Sequence, residues 1–320
     1  MQVFVTGGSG FVGGHLIEAL VRHGHQVAAL VRSEASAQVV AAYGATPVMG
    51  SLDTVRADML GQAQAVIHAA AVTDEWGTRA HFWQGNVVGT GNILAAAREA
   101  GVARFVHVGT EAAFFTGTDL IHLDEMQPYP DRHRYLYAET KAEAERRVLA
   151  ANTAAFATVS IRPRFVWGPR DATVLPAILR MAAQGRFSWI AQGAARTSTT
   201  HVANVVHALE LALTHGKAGQ AYFVADEGER SIRSFLSALA LTQGTDLGQR
   251  NTPTWVARWA AAAVEGVYRA FKLQGVPPMT RFAIDMMSSN VTVNTARATA
   301  ELGYAPVITV EEGMSHLVLA

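Results

Sequence analysis

The chain contains no cysteine, which removes disulfides, zinc–thiolate sites and thiol nucleophiles. It has no surplus charge of either sign: 26 Lys and Arg balance 26 Asp and Glu, so no charge excess points to nucleic acid or an anionic membrane. Charged residues are only 16% of the 320 positions and half are hydrophobic, a composition that excludes disorder and implies a sizeable core. Long apolar runs are missing as well. The uncharged stretch from Ala80 to Ala97 carries His81, Gln84, Asn86 and Asn92, too polar to span a bilayer. A strand-like run begins at residue 2 with no basic leader or cleavage site, so an unprocessed, cytoplasmic protein is expected. His15, His23, His25, His68, His107 and His201 show no ligand spacing with acidic partners, and no metal is expected.

Glycine is where the chain becomes informative. Thr6-Gly-Gly-Ser-Gly-Phe-Val-Gly13 follows the β-rich run Gln2 to Thr6 and leads into apolar positions Phe11, Leu16, Ala19 and Leu20 at helical spacing. Strand, glycine turn and helix let backbone approach a pyrophosphate and aim a helix N-terminus at it. The pattern predicts further strands at 26–31, 46–49, 65–68, 104–108, 157–161 and 222–225. Helices are expected at 34–43, 82–100 and 135–151. Strands alternating with helices imply an α/β, doubly wound parallel sheet. After Gly168-Pro169 the regularity falls. Residues 1–168, with a return segment at about 202–225, read as the dinucleotide-binding domain. Residues 169–201 and 226–320 read as a smaller, mainly helical substrate lobe, with a long loop around Gly244 to Pro253.

The second informative stretch is Tyr137-Ala-Glu-Thr-Lys141. Four residues apart on a helix, the phenol and the ammonium share a face. A cation beside a phenol favours the phenolate and lowers its pKa. Such a phenol can exchange a proton with a carbonyl or alcohol. With the glycine turn, this reads as hydride transfer.

These motifs, together with Val66-Ile-His-Ala-Ala-Ala71, Val72-Thr-Asp-Glu-Trp-Gly77, Asn86-Val-Val-Gly-Thr90, Phe105-Val-His-Val-Gly-Thr110, Arg162-Pro-Arg-Phe-Val-Trp-Gly-Pro169 and Leu302-Gly-Tyr304, resemble the extended short-chain dehydrogenase/reductase superfamily of NAD-dependent epimerases and dehydratases. Within it they look most like the 3β-hydroxysteroid dehydrogenase/isomerase-like branch. The resemblance implies a Rossmann-type fold with Tyr137 as proton donor or acceptor. It implies that Lys141 holds the nicotinamide ribose and that Thr110, in the usual place of a serine, bonds the substrate oxygen. It further implies a cofactor site from Gly7, Ser9, Gly10, Phe11, Val12, Gly13, Arg32, Ser33, Ser51, Leu52, Ala69, Ala70, Ala71, Tyr137, Lys141, Pro163 and Val166. Asn86 would brace backbone beside the site, His68 would be structural, and relatives often dimerise through the helices matching 82–100 and 135–151.

Departures from the family pattern sharpen the expectation. Where NAD-specific members end the second strand in an acid, this chain has Val31-Arg32-Ser33; an arginine can grip a 2′-phosphate, which favours NADP(H) and leaves NAD(H) open. Ser51 stands where many relatives carry Asp against adenine. Phe165 replaces the Asn that nucleotide-sugar enzymes of the superfamily carry, which argues against such a substrate. With Phe114 and Trp167, Phe165 is expected to line an apolar substrate site. The expected activity is an NAD(P)-dependent oxidoreductase interconverting a ketone and a secondary alcohol on a lipophilic small molecule. A nucleotide-sugar epimerase or dehydratase and a non-enzymatic NADPH-sensing regulator are the rivals. Helix 255–272 carries Trp255, Trp259, Ala263, Val267 and Phe271 opposite its charges; it is read as packing on the lobe, with a lid or a peripheral membrane contact as alternatives.

Overall fold

Val3, Phe4 and Val5 in the first strand are at most 1% exposed, because a strand in the middle of a parallel sheet is covered on both faces and need not alternate. The computed structural model describes residues 1–318. Its main sheet comprises β1 (Gln2–Thr6), β2 (Gln26–Val31), β3 (Thr46–Met49), β4 (Ala65–His68), β5 (Arg104–Val108), β6 (Ala157–Pro163) and β7 (Gln220–Val224). They lie in the order β7-β6-β5-β4-β1-β2-β3, every pairing parallel. This is the Rossmann-type α/β architecture. The strand order reverses between β1 and β4. Such a switch point opens a crevice at the strands' C-terminal ends, and there the glycine turn and the alanines after His68 meet.

Helices cover both faces. Phe11–Arg22 and Val202–Thr214 pack on one side with Leu16, Ile17, Leu20, Val205 and Leu209 fully covered. Ile93, Leu94 and Ala97 of Gly89–Glu99 fill the other with Phe4, Val66 and Phe105. Where one long helix 82–100 is expected, the chain forms an α turn (Arg79–Phe82), a π-helical stretch (Trp83–Val88) and then the α-helix Gly89–Glu99. The widened turn has a cause in Asn86, whose side chain accepts from the Val72 amide at 2.7 Å and donates to its carbonyl at 3.0 Å. A π turn at such a place is common beside functional sites.

Short elements build the lobe at the sheet's C-terminal edge. Leu120–Leu123, not foreseen from the sequence, joins Val291–Val293, Arg196–Thr197 and Arg230–Ser231 in a small four-stranded sheet. Trp189, Ile232, Phe235, Leu236 and Leu239 form a separate core. The loop around Gly244 to Pro253 is not free of structure, since Asn251–Thr252 pairs with Trp189–Ile190.

Candidate active site

The cofactor crevice follows from what side chains would obstruct. A Cβ on Gly7, whose φ is +76°, would sit 2.7 Å from the Ala70 amide nitrogen, and one on Gly13 would sit 2.1 Å from the Gly7 carbonyl oxygen. Only glycine lets the turn, the helix and the β4 exit approach so closely. Gly10 caps the helix Phe11–Arg22 without offering a side-chain acceptor, which leaves its first amides free for an anion such as a pyrophosphate. The chain therefore fits a dinucleotide at Gly7, Ser9, Gly10, Phe11, Val12 and Gly13.

His68 fixes the far wall. Thr90 Oγ1 gives its proton to the Asn86 carbonyl at 2.6 Å, so it accepts from His68 Nε2 at 2.9 Å. His68 Nδ1 must then accept from Thr6 Oγ1 at 2.6 Å, and Thr6 Oγ1 in turn accepts the Ala70 amide. Burial holds the imidazole pKa down to about 3, so it stays neutral and locks the ends of β1 and β4 beside Ala69, Ala70 and Ala71. Arg32 is exposed after β2 and makes no side-chain hydrogen bond or ion pair among the described residues. Ser33 caps the helix Glu34–Ala42 by accepting from the Ser36 amide. Ser51 caps its own turn by accepting from the Asp53 amide, and the Leu52 carbonyl accepts from Asn92. Pro163 closes β6, and Val166 opens a two-residue strand paired with Thr200–His201.

Tyr137 and Lys141 lie one turn apart on the helix Leu136–Ala150. Lys141 is 4% exposed and its Nζ donates to the Val108 carbonyl at 2.8 Å, at the end of β5. Desolvation brings its pKa down to about 8. Thr110, just past β5, lies beside the Tyr137 phenol and donates to Glu111 Oε2 at 2.9 Å. Glu111 is itself buried and held by Arg164 at 2.7 Å. Contrary to the expectation that Lys141 lowers it, the Tyr137 pKa is raised. Burial is the largest cause and the Glu111 carboxylate the next, while the nearby Thr110 hydroxyl opposes them weakly. Sequence reasoning missed Glu111 and Arg164. The second arginine in Arg162-Pro-Arg164 was the available signal, since a strand end entering the core has no use for an unpaired guanidinium.

Beside Tyr137 opens a cavity of about 160 Å³, lined by Trp76, Phe82, Tyr135 and Phe282 among others, with Arg269 and Arg281 on its rim. Two aromatic expectations are corrected by packing. Phe114 is 2% exposed, stacked on Tyr129 with centroids 4.8 Å apart and capped by the Arg162 guanidinium. Trp167 is 1% exposed, packs edge-on against His201 and Phe235, and donates to the buried Asp226 carboxylate. Neither ring reaches the cavity. Phe165 is partly exposed in a left-handed conformation (φ 47°) and leans on Phe235. The cavity's aromatics instead come from Trp76 in the 72–77 loop, Phe82, Tyr135 at the head of the helix bearing Tyr137, and Phe282 in the helix Arg281–Ser288, none of them named beforehand as a substrate residue.

A switch-point crevice shaped for a dinucleotide, with a tyrosine–lysine pair and a hydroxyl at its mouth, defines a nicotinamide-dependent oxidoreductase of the extended short-chain type. Residues 4–253 match the model of the 3-beta hydroxysteroid dehydrogenase/isomerase family, and the chain belongs to that family. It is 43% identical over 320 residues to a 4-hydroxy-2-methyl-3-oxo-4-farnesyl-3,4-dihydroquinoline-1-oxide ketoreductase of Stigmatella aurantiaca, covering 99% of this chain and 96% of that one. It is 35% identical to a 2-alkyl-3-oxoalkanoate reductase of Stenotrophomonas maltophilia, covering 99% and 98%. Among solved structures, a UDP-glucose 4-epimerase of Thermotoga maritima superposes with a TM-score of 0.76 at 18% identity, over 99% of this chain and 97% of that one, a likeness of fold. No helix among the described residues is long and apolar enough to cross a membrane.

Proposed function

We propose that the chain is an NADP(H)-preferring ketoreductase that reduces a ketone on a lipophilic small molecule to a secondary alcohol. The observation that carries this reading is Tyr137 set between the Thr110 hydroxyl and an aromatic-walled cavity. The similar proteins of Stigmatella and Stenotrophomonas are named for reducing a farnesylated ring ketone and a 3-oxo acid, which supports the same substrate class here. Residues 1–168 and 202–225 would hold the cofactor, with Arg32 on the 2′-phosphate and Lys141 on the nicotinamide ribose. When bound, the nicotinamide supplies a hydride to the carbonyl carbon. Tyr137 gives its proton to the oxygen as negative charge develops there. Thr110 turns its hydroxyl from Glu111 to the same oxygen and steadies it. A phenol whose pKa is raised keeps its proton, which suits the reductive direction.

The test is NADPH and NADH oxidation against a panel of farnesylated quinoline ketones, 2-alkyl-3-oxo acids, 3-oxosteroids and UDP-sugars. A ketone should turn over, with Tyr137→Phe slower by about 100- to 10,000-fold and Arg32→Ala raising KM for NADPH far more than for NADH. Epimerised UDP-sugar with no net cofactor oxidation would overturn the reading.

A further inference from the structure

The helix Thr254–Ala270 is packed inside out. Its inward face consists of Ala257, Ala261 and Glu265. Glu265 accepts from the Arg281 side chain at 2.9 Å, and Arg258 pairs with the buried Asp285. The opposite face carries Trp255, Trp259, Ala263 and Val267 in consecutive i, i+4 steps, with Phe271 just beyond. Trp255 is 68% exposed, Trp259 74% and Phe271 73%, and Leu273 and Val276 continue the patch. From Trp255 to Phe271 the stripe is about 24 Å long at 1.5 Å per residue. The helix packs on the lobe as expected, but through Ala257, Ala261 and Glu265 rather than through its aromatic face, which is left outside. A contiguous apolar face of this kind marks an interaction surface.

The local charge says what covers it. From residue 249 to 288 the chain carries Arg250, Arg258, Arg269, Lys272 and Arg281 against Glu265 and Asp285; Arg258 and Arg281 pair with those two buried acids, which leaves Arg250, Arg269 and Lys272 as the cationic excess. Carboxylates that approach from the 72–77 loop are engaged, Glu75 by the Thr280 hydroxyl and Asp74 by His81. The neutral charge of the whole chain conceals this basic rim. An anionic lipid surface answers both the aromatic stripe and the cations. The same helix contributes Glu265 and Arg269 to the cavity beside Tyr137, so the surface is continuous with the wall of that cavity.

We propose that this face docks on an anionic bilayer, the helix lying in the headgroup plane with Trp255, Trp259 and Phe271 inserted. The inference stands apart from the assignment of the reaction and is tested without turnover. The full chain is floated with phosphatidylcholine vesicles, with and without phosphatidylglycerol, at low and high salt. It should float with the anionic vesicles at low salt, and Lys272→Gln should weaken binding about fivefold. The double variant Trp255→Ser, Trp259→Ser should lose binding while keeping the wild-type circular dichroism and cofactor affinity. Both side chains are largely solvent-exposed, so the fold does not depend on them. As a check needing no variant, brominated lipid should quench the wild-type tryptophan fluorescence. Wild-type protein that stays in bulk solution at low salt, or a double variant that floats normally, overturns the proposal. So does light scattering that shows a dimer lost in the double variant with no vesicle binding in the wild type, which assigns the face to a second copy.

Discussion

Lys141 shows at the level of one residue what a buried cation costs the fold. Its ammonium is buried against the Val108 carbonyl with a pKa of about 8 in place of 10.5. Below pH 8 it is protonated in both the folded and unfolded states, and the fold bears the cost of the buried charge, about 3 kcal/mol at about 1.4 kcal/mol per unit. Between pH 8 and 10.5 the unfolded chain binds more protons, so this contribution makes stability rise with pH and the cost fade. Lys141→Met should therefore melt at or above the wild-type temperature at pH 7 while its cofactor affinity falls, and its advantage should shrink at pH 10. A variant less stable at pH 7 than at pH 10, relative to wild type, would show that the ammonium is well solvated. Glu111 and Arg164 are a contrasting case, two charges that tolerate burial because each satisfies the other.

At the scale of elements, the strand–turn–helix at the N-terminus is held by contacts that exclude any side chain. Gly13→Ala places a Cβ 2.1 Å from a backbone oxygen, and neither partner is a flexible group that can yield. Nicotinamide binding should be lost and the melting temperature lowered, as dye-monitored melting with and without NADPH would record. Gly24→Ala is the control. It has φ +80° but nothing within 4 Å, so it should cost about 1 kcal/mol of strain and leave binding intact. Equal damage from both substitutions would mean that the Gly13 contact does not shape the crevice. The π turn at Trp83–Val88 belongs to this scale too: Asn86 binds the Val72 backbone and also donates to Thr140 at 3.1 Å, coupling that helix to the one bearing Tyr137.

Across the whole molecule, buried neutral imidazoles govern the response to acid. His68 is held to about 3, and His107, its ring tilted against it at 5.5 Å, lies well below its ordinary 6.5. Their unfolded forms protonate as pH falls through 6.5 and their folded forms do not, so stability present at neutral pH is lost between pH 6.5 and 3. From His68 alone the loss should reach about 3 kcal/mol by pH 4. Urea unfolding from pH 7 to 4 should show this slope, flattened in His68→Gln; an unchanged slope in that variant would remove His68 as the cause.

Much of this was legible in the sequence, for local reasons. Strand periodicity, the glycine spacing and Tyr137 four residues before Lys141 depend on near neighbours, and they were enough to indicate the sheet and the oxidoreductase class. What depends on distant partners was not legible. Phe114 and Trp167 look like substrate aromatics until Tyr129, Phe223, His201 and Phe235 close around them. The tyrosine's pKa is set by burial and by a carboxylate paired across 53 residues with Arg164. The helix Thr254–Ala270 is the sharpest case. Its two faces are plain in the sequence, but an amphipathic pattern does not say which face turns inward. That was decided by Asp285 and Arg281, which offered its charges a buried partner and left its tryptophans outside.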